Sequence, residues 1–348
     1  MSGRILIPVG VLTLALLGPA LSPAQDGKAK DPESKYAMDL RARKSTEPEF
    51  TKDTRKYGVE IYTDGPTGDG IHLSEVGAIS VVPSKLFKAG DGKAKEPLWQ
   101  HGLTLNVRPA GEKSWEKGKK FGLEVFKDDT NGDLIYLSEA GILGTVPAKY
   151  ATATTLDKGK PKNPAWKHAM DLKVRKAGES DWDKARKLGV EVFRDENNDN
   201  LLYLTETGHF AVVPGKLTAK EETGKGPTWQ HGLELAARKQ GEKEFTKDTK
   251  KYGLEVFLDE NNGNQIYLAE TGAIAVVPAK FAKPTEGGKA KDPQLKHAMD
   301  LQVRKAGQKD FTKEAPRFGV EVYLDENNGN LLYLGETGEL SVVSPRAE

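Results

Sequence analysis

The sequence predicts an all-β fold of five tandem four-stranded meanders. Three observations carry this: a unit written five times at fixed length, a two-residue hydrophobic alternation, and turn residues at the same places in each copy. The clearest copy reads GLEVFLDENNGNQIYLAETGAIAVVP, from Gly253 to Pro278. The same register opens at Gly58, Gly122, Gly189, Gly253 and Gly319, and a proline stands 25 residues on at Pro83, Pro147, Pro214 and Pro278. Ser344 takes that place in the fifth copy.

The third copy shows the order of elements. Met170, Leu172 and Val174 alternate with Asp171, Lys173 and Arg175, the pattern of a strand with one wet face. A turn at Ala177-Gly178-Glu179 follows, then a charged piece for which one helical turn is expected around Trp182. Val190 to Phe193 is the second strand, the run from Asp195 to Asn200 a loop, Leu201 to Glu206 the third strand and Phe210 to Val213 the fourth. Asn131-Gly132, Asn262-Gly263 and Asn328-Gly329 supply positive φ for the first hairpin, and Thr-Gly pairs at 207, 271 and 337 do so for the second. The repeats span 35–83, 99–147, 166–214, 229–278 and 295–344, and the Lys/Gly/Pro stretches between them read as water-exposed connectors.

Ahead of the repeats, residues 1–24 carry Arg4, an apolar run from Ile5 to Leu17, and Ser22-Pro23-Ala24. That is the form of an export signal, with residues 25–34 as a linker and a secreted or periplasmic destination. No later apolar run is long enough to span a bilayer, so no membrane span is expected in the mature chain. The absence of cysteine excludes disulfides, thiolate metal sites and a lipobox anchor, and suits a bacterial exported protein. With 52 basic and 51 acidic residues interleaved, the chain has no electrostatic footprint for nucleic acid.

Several columns are held in all five copies. Arg43, Arg108, Arg175, Arg238 and Arg304 are followed seven residues on by Phe50, Trp115, Trp182, Phe245 and Phe311. Glu60, Glu124, Glu191, Glu255 and Glu321 lie in the second strand, and Asp64, Asp128, Asp195, Asp259 and Asp325 end it. The simplest reading pairs each Arg with the Glu of the neighbouring strand in its own unit, and uses each aromatic to plug that unit's core. His101, His168, His231 and His297 open four first strands, with Tyr36 in the first copy, and a bond to a backbone group is expected for them. His72 and His209 look like isolated occurrences.

Trp99, Trp166 and Trp229, assigned to the connectors, either seal neighbouring units or lie open for ligand stacking. With Arg108, Arg175 and Arg238 they are the candidate ligand-binding residues. Asp195, Asn197 and Asp199 present oxygens at alternate positions and make a calcium candidate. An EF-hand is excluded, because a strand fills the second half of the loop. There is no phosphate loop, nucleophile elbow or HExxH motif, so no catalytic residue and no cofactor is expected.

Three architectures suit five such units: a propeller-like ring, a string of small β domains, or trefoil-like hairpins. The ring is preferred, because a unit of about fifty residues is near the lower limit for a self-sufficient core. The hairpin text NLLYLTETGHFAVV resembles that of fascin-type β-trefoils, but trefoils need multiples of three. In repeat count and strand number the chain resembles five-bladed lectin propellers of the tachylectin kind. That resemblance implies a non-enzymatic, multivalent binding protein with a glycan or protein ligand. A structural component of the cell envelope or matrix is the alternative, and a glycan-processing enzyme a third.

Overall fold

The computed structural model describes residues 31–90, 94–218, 224–285 and 290–347. The expected export signal and most of the linker after it lie outside them. Among the described residues, twenty strands form five four-stranded antiparallel sheets arranged as a five-bladed β-propeller.

Each blade comes from one copy. The first blade holds β1 (Glu33–Ala42), β2 (Arg55–Thr63), β3 (Gly70–Ser74) and β4 (Ile79–Val82). The second holds β5 (Leu98–Val107), β6 (Lys119–Lys127), β7 (Leu134–Ser138) and β8 (Leu143–Val146). The third holds β9 (Ala165–Val174), β10 (Arg186–Arg194), β11 (Leu201–Thr205) and β12 (Phe210–Val213). The fourth holds β13 (Pro227–Ala237), β14 (Lys250–Asp259), β15 (Gln265–Ala269) and β16 (Ile274–Val277). The fifth holds β17 (Gln294–Gln302), β18 (Arg317–Leu324), β19 (Leu331–Gly335) and β20 (Leu340–Val343). The fourth strands touch one another in a closed cycle around the axis, β20 meeting β4, so the first strands form the rim. Among the described residues no strand is shared across the join between the last blade and the first.

The core lies between blades. Met38, Leu40 and Val59 of the first blade pack on Phe126, Ile135 and Leu137 of the second. Leu172 and Val190 of the third pack on Phe257 and Ile266 of the fourth, and Leu301 and Val320 of the fifth pack on Ile71 and Leu73 of the first. A string of self-contained domains and a trefoil are thereby excluded, because each sheet hides its apolar faces against its neighbours.

This close approach also explains the opening glycine of every copy. A Cβ at Gly58, Gly122, Gly189, Gly253 or Gly319 would run into the backbone carbonyl oxygen of Arg304, Arg43, Arg108, Arg175 or Arg238 of the preceding blade. The first hairpin loop keeps its positive φ even where glycine is missing, at Asp199 with φ 66. The helical turn expected near Trp182 is present at Trp182–Lys184.

One reading of the segments between units changes, while the described connector residues are mostly exposed as expected. The first strands start earlier than expected and include Trp99, Trp166 and Trp229. The connectors are tied down: the N–H groups of Lys162, Lys225 and Lys291 donate to Asn197, Asn261 and Asn327 Oδ1 in the hairpin loop of the blade that follows. Lys95 N–H donates to Thr130 Oγ1 in the same way.

Candidate functional site

A bulge sets up the candidate site. In each first strand the register slips by one residue between the tryptophan position and the histidine position, at Trp99/His101, Trp229/His231 and Leu295/His297. Two residues apart on a regular strand would share a face; one extra residue turns them to opposite faces. Trp99 therefore meets Arg43 of the preceding blade, while His101 meets Asp195 of the following one.

The Arg and Glu columns pair between blades, not within a unit, which corrects the reading from sequence. Arg43 Nε donates to Glu124 Oε1 at 2.6 Å and its Nη2 to Oε2 at 3.0 Å. Arg108 grips Glu191, Arg175 grips Glu255 and Arg238 grips Glu321 in the same fork. Arg304 and Glu60 close the ring with it. Each Arg follows its strand and reaches over the edge of the next blade. There Ala37, Gly102, Ala169, Gly232 and Ala298, each opposite the paired Glu, leave room for the guanidinium.

The aromatic column does not plug a core. Phe50, Trp115, Trp182, Phe245 and Phe311 lie outside, stacked on the guanidinium of their own blade's Arg at 4.4 to 5.0 Å. Trp99, Trp166 and Trp229 approach the same guanidinium groups from the next blade at 5.7, 5.8 and 5.9 Å. Their Nε1–H groups donate to Glu124, Glu191 and Glu255 Oε2 at 2.8, 2.6 and 2.7 Å. Each indole is thus fixed by its edge, yet the residues stay 40, 49 and 45 % exposed. The other two interfaces carry Leu295 and Ser34 at this position. Three neighbouring interfaces therefore present equivalent open indoles, each on a carboxylate that already accepts three hydrogen bonds.

Deeper in each interface lies a second polar network. Asp195 Oδ2 accepts from His101 at 2.8 Å and from Tyr136 at 2.9 Å, both of the preceding blade. Asp259 accepts from His168 and Tyr203, and Asp325 from His231 and Tyr267. The histidines thus bond a carboxylate of the next blade rather than a backbone group. Burial pushes the three carboxyls up, but the donated bonds, chiefly from the histidines, outweigh it and hold their pKa below the usual range.

His72 is not an isolated occurrence. It sits on β3 opposite Ile61, as Tyr136 sits on β7 opposite Val125. The first blade has exchanged the two residues: Tyr36 holds the histidine position and donates to Asp128 at 2.5 Å, and His72 holds the tyrosine position. His72 Nε2 lies 4.0 Å from Asp133 Oδ2. Burial drives the His72 pKa down to about 4 and the Asp133 pKa up to about 7.

The calcium candidate divides. The Asp195 carboxylate is buried, its Oδ1 accepting from Asn197 N and Nδ2 and its Oδ2 from the preceding blade. The Asp199 side chain is 66 % exposed and lies 3.8 Å from Arg194. Among the described residues no group of three His, Cys, Asp or Glu side chains converges in a way that could hold a metal ion, and no helix is long and apolar enough to cross a membrane. Compared with known proteins, the chain matches no family model, and neither curated proteins nor solved structures give a match.

Proposed function

We propose that this propeller is an exported, non-enzymatic binding protein that holds a repetitive glycan on its rim through Trp99, Trp166 and Trp229. The observation that carries this reading is the threefold repetition of one exposed indole, locked by its Nε1–H and backed by a guanidinium. A rigid aromatic face that is already ordered loses little entropy on stacking against the C–H face of a sugar ring. Beside Trp99 a cleft of about 810 Å³ opens between Phe50, Lys56, Lys95 and Glu96, with room for more than one sugar. The carboxylate under each indole already accepts three bonds from Arg and Trp donors, which suits a supporting role better than that of an acid or base.

Equivalent sites on one rigid ring favour a polymer over a single sugar, since engagement of one site raises the effective concentration at the next. Soluble oligosaccharides should quench tryptophan fluorescence. Each single Trp→Ala change should weaken retention on an immobilised polysaccharide by about tenfold or more, and the triple change should abolish it. Retention unchanged in the triple variant would rule out the rim site. No binding by the unmodified protein across a broad glycan panel would favour the envelope-scaffold reading.

A further inference from the structure

The near-equality of 52 basic and 51 acidic residues hides a segregation of charge. Among the described residues twelve Asp and Glu are buried, and no Lys or Arg is. Five of the twelve meet the interface arginines. The exposed surface is left with an excess of cations.

Part of that excess lines the rim cleft of about 810 Å³ beside Trp99. Three blades build its wall: Lys95 and Trp99 come from the second, Arg41 and Lys56 from the first, and Lys309 from the fifth. The four cations are exposed, and among the described residues none of them forms an ion pair. Two carboxylates share the wall, Asp39 and Glu96, and Asp39 Oδ2 already accepts the Gly307 N–H at 2.7 Å. Beside the charges lies an apolar face, with the Phe50 ring edge-on to Trp99 at 5.8 Å.

Arg41 and Lys56 stand directly opposite each other on β1 and β2. Residues opposed in this way share a face of the sheet, and like charges there destabilise it. An anion between them turns the repulsion into two charge-assisted bonds. The third blade repeats the arrangement with Lys173 opposite Lys187, and it lies between the interfaces that carry Trp166 and Trp229. In the other blades the place of Arg41 is held by the uncharged Asn106, Ala236 and Gln302.

We propose that the rim ligand is an acidic polysaccharide, whose rings stack on the indoles and whose carboxylate or sulfate groups sit between the opposed cations, Arg41 with Lys56 and Lys173 with Lys187. This inference rests on the rim reading and adds the charge class of the glycan.

The test is a calorimetric titration of the full chain with polygalacturonate, dextran sulfate, neutral dextran, and polyphosphate as a polyanion with no ring to stack. One of the two acidic glycans should bind about tenfold or more tighter than dextran or polyphosphate, and its binding should weaken as salt rises. The preference between the two identifies the acid group. Arg41→Gln/Lys56→Gln should lower that affinity about tenfold, the loss of one charge-assisted hydrogen bond, and flatten the salt dependence. Without ligand, the urea midpoint of this variant should be no lower than that of the unmodified chain, because a repulsion has been removed. A lowered midpoint with unchanged affinity would mean that the two cations are structural and would overturn the site. Dextran bound as tightly as the acidic glycans would overturn the acidic class and leave the rim reading in place. Polyphosphate bound as tightly, with Trp99→Ala without effect, would show attraction by charge alone and overturn the glycan. Binding of no glycan at all would overturn both this inference and the rim reading.

Discussion

Arg175→Leu should lower the unfolding free energy by about 3–5 kcal/mol, the usual cost of leaving one partner of a buried ion pair alone. The reason is the state of Glu255. It is 1 % exposed and accepts two bonds from Arg175 and one from Trp229 Nε1, so losing the guanidinium takes away two of its three donors. Arg175→Lys should recover only part of the loss, because one ammonium cannot supply the planar fork. Removing both charges in Arg175→Leu/Glu255→Leu should cost less than the single change, since no orphaned carboxylate remains. Urea titration followed by tryptophan fluorescence checks all three. A change under about 0.5 kcal/mol in Arg175→Leu, the size of an ordinary surface substitution, would mean that the pair is solvated and idle.

The second large effect concerns pH. Asp133 occupies the place where the third, fourth and fifth blades have Asn200, Asn264 and Asn330. Its Oδ1 accepts the Ala148 N–H at 2.7 Å as Asn200 Oδ1 accepts that of Gly215 at 3.0 Å, so an amide fits the same socket. The Asp133 pKa is raised to about 7, chiefly by burial and then by Asp128, so the folded state holds a proton that the unfolded chain releases near pH 4. Stability from this group is complete below pH 4 and is lost as pH rises through 7. Asp133→Asn removes that loss, a gain of at most about 4 kcal/mol at pH 7.5 and about zero at pH 4.

His72 works in the opposite sense. Its folded pKa of about 4 lies below the ordinary 6.5, so it costs stability as pH falls from 6.5 to 4. The two slopes offset each other in the unmodified protein. In Asp133→Asn the His72 slope is no longer offset by Asp133, and stability should climb by at most about 3 kcal/mol between pH 4 and 6.5, less what the likewise raised Asp69 carboxyl takes back. Urea midpoints measured from pH 4 to 8 show the difference. An equal gain at both ends of that range would mean that the Asp133 proton plays no part.

The repeats, the strand order and the turns were legible because they depend on local periodicity and on residues that tolerate positive φ. Partnership was not legible. Arg175 lies close in sequence to Glu191 of its own unit, yet its partner is Glu255, 80 residues away, because the blade faces bury one another. The tryptophans looked like connector residues, since the bulge that re-aims them leaves no mark in a two-residue alternation. One signal was present and unused. Tyr36 and His72 stand where the other copies have histidine and tyrosine, and such an exchange marks two columns that reach the same loop of the next blade. The buried residues three places past each closing position, Leu86, Tyr150, Leu217, Phe281 and Ala347, recur at a fixed step too, but their varied side chains hide the column.

Whether the ring closes at all rests on contacts between the two ends of the repeat array, held without a shared strand. Arg304 and Glu60 are 244 residues apart in sequence and share the same fork as the four other pairs. A double-mutant cycle with Arg304→Leu and Glu60→Leu reads that contact directly. Closure predicts a coupling energy above about 1 kcal/mol, similar to that of Arg175 with Glu255. Strictly additive effects at 304 and 60, beside clear coupling at 175 and 255, would show an open array of blades instead of a ring.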